Sequence, residues 1–151
     1  MALFLVQHGK SLPKDKDPEQ SLSEEGRADV ERIANDAKEH GLHVSRIQHS
    51  GKKRAQQTAD ILASALNPQG GVQKTSGINP LDDVSAVAKQ IDHTDNLMLV
   101  GHLPFMEKLT SFLLTGLTDR PMLKFQNGGI VCLDIDNGAW VIKWTLMPKL
   151  G

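Results

Sequence analysis

The chain reads as an α/β protein of three α/β/α layers, with a mainly parallel central sheet and an antiparallel C-terminal hairpin at one edge. Two observations predict this. The run Leu3-Phe4-Leu5-Val6-Gln7-His8 is echoed by Leu97-Met98-Leu99-Val100-Gly101-His102, and short, wholly apolar runs suit strands buried on both faces of a parallel sheet. Near the end of the chain, Asn137-Gly138 separates two strand-like runs, 130–136 and 139–146; this dipeptide is the strongest short-range signal for a tight hairpin.

Between these landmarks the elements follow in order. Residues 10–20, rich in Lys, Asp and Pro, read as an exposed loop. Ser23 ahead of Glu24 and Glu25 is an N-cap followed by acidic first-turn residues. The helix it opens puts Val30, Ile33, Ala34 and Ala37 on one face and stops at Gly41. A strand is expected over 44–49, then a helix over 52–66 with Ala55, Thr58 or Ala59, Leu62 and Leu66 inward, ended by Asn67-Pro68. Residues 69–80 read as loop with a brief strand at 72–74. Asp82 or Asp83 caps a short helix carrying Val84, Val87, Ala88 and Ile91. After the strand over 97–100, a helix is expected from 104 to 114, with Pro104 in its first turn.

Composition narrows the function classes. At 151 residues the chain is expected to form one domain, 1–151. Its 23% charged and 39% hydrophobic residues are ordinary for a soluble globular protein. The net charge of -1 gives no pull toward nucleic acid or an anionic membrane. One cysteine, Cys132, excludes an internal disulfide and fits a reducing compartment. The apolar start, 1–6, is too short for a signal-peptide core, and no stretch approaches the roughly 20 apolar residues of a membrane span. A cytoplasmic setting is the expectation. No H-x-x-x-H or paired Cys/His spacing is present, so neither metal nor other cofactor is expected.

The chemistry is expected where the strands end. In open α/β sheets the ligand crevice lies past the carboxyl ends of the strands, and two of those strands deliver His8 and His102. Arg54 falls in the first turn of the second helix, beside an amide-rich helix N-terminus that attracts anions. Its planar donor fork matches phosphate oxygens. Two imidazoles and a guanidinium at one sheet edge suit a phosphoryl group.

Taken together, Leu5-Val6-Gln7-His8-Gly9, Leu22-Ser23-Glu24-Glu25-Gly26, Ser50 with Arg54-Ala55-Gln56-Gln57-Thr58-Ala59, and Val100-Gly101-His102 resemble the histidine phosphatase superfamily. The length, and Leu103-Pro104-Phe105 after His102, look most like its short SixA-type phosphohistidine phosphatases. The resemblance implies that His8 is the nucleophile, forming a phosphohistidine intermediate that water hydrolyses. It makes Arg54 and His102 the holders of the equatorial oxygens. Gly9 would let the backbone bend and fix the tautomer of His8. Ser50 is read first as a helix cap, with phosphate contact second. Ile78-Asn79-Pro80-Leu81-Asp82-Asp83 looks like the family segment that brings in an acid; Asp83 is the matching position and Asp82 its alternate. The implied substrate is a phosphorylated protein or a small phosphoryl compound.

One position departs from the pattern. Where the superfamily has arginine this chain has Gln7, which keeps an amide donor but removes a charge and a bidentate clamp. Losing one transition-state donor typically costs roughly 10²–10³ in rate. Lys10, or Lys52 and Lys53 at the start of the second helix, are the candidates to restore the positive field. Three readings therefore stand side by side: a working phosphohistidine phosphatase, a module that binds a phosphoprotein or metabolite without turnover, and a small-molecule phosphomonoesterase dependent on Asp83. Phosphomutase chemistry is set aside, because it needs sugar-positioning insertions for which this chain has no room.

The remaining features receive plainer readings. His40, His43, His49 and His93 are assigned no role, His49 being read as a surface group near the pocket rim. Trp140 and Trp144 are expected on one strand face, in the core. Phe105 and Met106 are either packing or an apolar patch for a partner.

Overall fold

The computed structural model describes residues 2–92 and 94–150, so His93 lies outside the described residues. Six strands form one sheet: β1 (Leu3–Gln7), β2 (Arg46–His49), β3 (Val72–Lys74), β4 (Leu97–Gly101), β5 (Ile130–Asp136) and β6 (Ala139–Leu146). Their order is β3-β2-β4-β1-β5-β6. The first four are mutually parallel, while β5 runs antiparallel to β1 and β6 antiparallel to β5. This is the mainly parallel sheet with an edge hairpin that the sequence predicts, and Asn137 and Gly138 take the positive φ angles of a tight hairpin turn.

Helices cover both faces. On one side α1 (Glu24–Glu39) and α2 (Lys53–Leu66) bury Val30, Ile33, Ala55, Ala59 and Leu62 against Phe4, Val6, Met98 and Val100. On the other, α3 (Val84–Gln90) and α4 (Phe105–Thr115) bury Val84, Phe105, Met106 and Leu109 against Leu3, Leu5, Leu97 and Leu99. Strand alternation thus divides one apolar run between two cores. Ser23 caps α1 by accepting from Gly26 N, and Gly41 follows its C-cap at φ 70°. Among the described residues no helix is long and apolar enough to cross a membrane.

Three expectations change and one open alternative is settled. Pro104 is the N-cap of α4, after a cis Leu103–Pro104 peptide, rather than a first-turn residue. Phe105 and Met106 are both fully buried, so they form core and offer no partner patch. His49 is buried, not a surface group. Trp140 and Trp144 lie on opposite faces. A register irregularity pairs Leu133 with Ile142 but Cys132 with Trp144, an extra residue at Lys143 that reverses the alternation. Trp140 therefore joins the α3/α4 side, whereas Trp144, partly exposed, meets Phe4 at 6.1 Å between ring centroids.

The loop after β1 is ordered by its own polar groups. Ser11 bridges Leu22, and the Asp17 carboxylate accepts from the Glu19 and Ser21 amides and the Ser21 hydroxyl. Glu19 then pairs with Lys53 at 2.9 Å, tying the loop to the start of α2.

Candidate active site

The in-phase pairing of the two repeated strands builds the centre of the site. Leu3 faces Leu97, and the register runs on to Gln7 opposite Gly101. His8 N extends the ladder by donating to Gly101 O at 2.9 Å. The next side chains out, His8 and His102, have ring centroids 5.0 Å apart at a tilt of 54°.

His8 is held in one tautomer. Its Nδ1 lies 2.7 Å from Gly9 O, and since a carbonyl only accepts, Nδ1 carries the hydrogen and Nε2 keeps its lone pair. Burial pushes the His8 pKa down; the Gly9 bond partly opposes this, and the Arg54 charge adds to the fall. The ring is thus neutral near neutral pH. Its carbonyl is fixed by Asn127 Nδ2 at 3.1 Å and Gly128 N at 3.2 Å. Gly9 is needed for space rather than for positive φ: a Cβ there would lie 2.7 Å from Val30 Cγ2. Gly26 shows the same logic, since its Cβ would lie 2.0 Å from Lys10 O as the loop crosses α1.

His102 is buried, and its Nε2 sits 2.6 Å from Ser50 Oγ. Its Nδ1 is buried with no hydrogen-bond partner among the described residues. Burial first, then the neighbouring His8, Arg54 and Lys52, lower its pKa to about 3. Ser50 does not cap α2: that N-cap is Lys52, whose side chain makes no capping bond. The hydroxyl instead serves the histidine, with Lys52 N a distant 3.4 Å donor to it.

Arg54 stands in the first turn of α2 with no carboxylate partner among the described residues. Burial lowers its pKa, but a guanidinium remains charged in proteins. An unpaired cation beside two neutral imidazoles, one with an unpartnered ring nitrogen, leaves hydrogen-bonding capacity of the kind an anion takes unspent on the described protein groups.

Other expected groups stand apart. The side chain of Gln7 lines an open cleft of about 350 Å³ with Lys10, Glu25, Asn127 and Lys149, and its Oε1 is buried without a partner. Lys10 is exposed and bonded to Glu25 at 2.8 Å. Lys149 reaches the same carboxylate at 3.2 Å. Asp83 is the N-cap of α3, accepting from Ser85 N at 3.0 Å and Ser85 Oγ at 2.8 Å. Those bonds hold its pKa below the usual carboxylate value, keeping it ionised and a poor proton donor. Asp82 accepts from Asn79 N at 2.8 Å within its own loop. Neither carboxylate is among the charges that act on His8 or His102.

Sequence reasoning missed the clamps that hold the loop after β1. Thr58 Oγ1 accepts from Gly9 N at 2.9 Å while donating to Arg54 O at 2.8 Å, and Gln57 Oε1 accepts from Leu22 N at 2.8 Å. Thr58 lies one helical turn after Arg54, a spacing that puts both on one helix face. Asn127 and Gly128 carry no comparable signal. Among the described residues no three His, Cys, Asp or Glu side chains gather as metal ligands do. The Cys132 thiol is buried, which pushes its pKa up to about 11 and leaves it a poor nucleophile.

The phosphohistidine phosphatase SixA of Escherichia coli (strain K12) is 25% identical over 154 residues, covering 98% of this chain and 94% of its own. A structure of the protein histidine phosphatase SixA complexed with tungstate superposes with a TM-score of 0.84 at 24% identity, covering 98% of this chain and 97% of that one. A SixA structure from Agrobacterium tumefaciens gives 0.79 at 24% identity, with 97% of each chain covered. The histidine phosphatase superfamily (branch 1) matches residues 3–79, just over half of the sequence. The chain therefore belongs to the histidine phosphatase superfamily and is a phosphatase.

Proposed function

We propose that the chain removes the phosphoryl group from phosphohistidine, presented on a protein, by way of a phosphorylated His8. The observation that carries the reading is the His8 ring itself: neutral, locked with Nδ1 on Gly9 O, and set 5.0 Å from His102 beside an unpaired Arg54. The similar SixA structure holds tungstate, a tetrahedral oxyanion of the kind such a site would take.

In this reading Nε2 of His8 attacks phosphorus in line. The new nitrogen–phosphorus bond forms as the bond to the substrate imidazole breaks. The departing ring keeps the electron pair and, protonated from solvent at its other nitrogen, leaves as neutral imidazole. Arg54 and His102 Nδ1–H hold the non-bridging oxygens, the latter tautomer favoured when Ser50 O–H donates to Nε2. Water then breaks the His8–phosphorus bond, leaving its hydroxyl on the released phosphate and its proton with solvent. Asp83 has no part, which suits a nitrogen leaving group better than an alkoxide; P–O esters should be poorer substrates.

The test is phosphate release from phosphoramidate and from a phosphohistidine-bearing protein. His8→Ala should lower it by at least about a thousandfold. No release above background, or a His8→Ala variant matching the native protein, overturns the reading. Gln7 favours one rival, a module that grips phosphoprotein without turnover; phosphate affinity with no acid-labile phosphoenzyme would identify it.

A further inference from the structure

We propose that Lys52 supplies the cation that Gln7 does not, contacting a non-bridging oxygen of the phosphoryl group held by His8, His102 and Arg54. The proposal rests on the phosphatase reading above. Its starting point is a shortage of charge. Both imidazoles are kept neutral by burial, so Arg54 alone faces a phosphoryl group that carries about two negative charges.

Five lysines stand around the ends of β1 and β3 and the start of α2, and the structure separates them. Lys10 and Lys149 are both bound to Glu25, and Lys53 to Glu19. Lys74 lies at the end of the outermost strand, its chain folded over Gly51, where a Cβ would come within 2.4 Å of Lys74 Cε. Its charge acts on His49, not on His8 or His102. Lys52 alone of the five meets three conditions. Its ammonium has no carboxylate partner among the described residues. Its side chain has no capping duty. Its backbone nitrogen is 3.4 Å from Ser50 Oγ, itself 2.6 Å from His102 Nε2. A lysine side chain spans about 6 Å from Cα to Nζ, enough to bring a point charge over the same oxyanion. An exposed ammonium used this way is also screened by salt, more so than a half-buried guanidinium.

The experiment uses the full chain in four forms: native, Lys52→Gln, Gln7→Arg, and both substitutions together. Inorganic phosphate serves as the binding probe and phosphoramidate as the turnover probe. Lys52→Gln should weaken phosphate affinity, and kcat/KM where turnover is present, by tenfold or more in the native background. In the Gln7→Arg background the same change should cost less than threefold, because the arginine then carries the charge. Lys52→Arg should retain most of the native affinity, and Lys38→Gln, in the last turn of α1, should stay within twofold. A loss below threefold in the native background, or an equal loss in both, overturns the proposal. If neither the native protein nor the Gln7→Arg variant turns over phosphoramidate, the phosphatase reading fails, and phosphate affinity alone still decides the role of Lys52.

Discussion

The two flanks of the site hold similar numbers of basic residues and use them differently. On the α2 flank, Arg54 and Lys52 have no carboxylate beside them among the described residues. On the flank toward α1 and the C-terminal segment, Lys10 and Lys149 share Glu25, and Gln7 brings only an amide whose oxygen is itself unpartnered. Attraction for an anion follows from charge left unpaired near it, not from a count of lysines. The first flank leaves its charge unspent on protein groups; the second spends its lysines on Glu25 and carries an uncharged side chain at position 7.

The largest test of that contrast removes the unpaired guanidinium. Arg54→Ala should lower kcat/KM on phosphoramidate by about 10²–10³, with Lys10→Gln on the opposite flank changing it less than twofold. Equal losses at the two positions would erase the distinction. Converting the poorer flank should work in the other direction once Lys52 is removed: in the Lys52→Gln background, Gln7→Arg is expected to raise kcat/KM by about tenfold or more, since a fork then supplies the missing charge. An equal gain in the native background would mean that the second cationic position stands empty there, against the role given to Lys52.

The contrast was only half legible in the sequence. Two strands with one apolar pattern, each followed by a histidine, announce both the parallel pairing and the meeting of His8 with His102. Arg54 is readable because its place in the first turn of a helix is a local property, whereas the bond that Thr58 accepts from Gly9 N is made only by the fold. The neutral flank is not readable. Glu25 looks like a first-turn acid of α1, and only the fold brings Lys10 and Lys149 to it from opposite ends of the chain. Asp83 shows the same limit: a capping residue and a catalytic acid look alike until the partners of the carboxylate are known. Trp144 marks a third case, because a single inserted residue in a strand reverses every side chain after it.

The imidazoles give a pH test of the α2 flank. His102 has a folded pKa of about 3 against 6.5 when unfolded, so between those values the unfolded chain binds the extra proton. Stability is therefore full above about pH 6.5 and falls as the pH drops toward 3. The loss attributable to this one ring should reach about 3 kcal/mol by pH 4, at about 1.4 kcal/mol per unit. Denaturation at pH 7 and pH 4 measures it: the native protein should lose more stability than His102→Gln. His8 shifts in the same direction, so the acid limb of the rate profile should begin below the usual imidazole range. An acid limb at or above pH 6.5 would contradict a buried neutral nucleophile.

The smallest effect concerns the acid that the site lacks. Asp83 caps α3 through two bonds to Ser85, so Asp83→Ala should lower the melting temperature slightly, as the loss of a helix cap does. Hydrolysis of phosphoramidate should change less than twofold, because the nitrogen leaving group takes its proton from solvent. Asp83→Asn keeps a capping side chain and should restore the stability without altering the rate. A large rate loss in both variants, with stability recovered in the asparagine form, would show that the carboxylate acts as an acid after all, and would shift the preferred leaving group from nitrogen to oxygen.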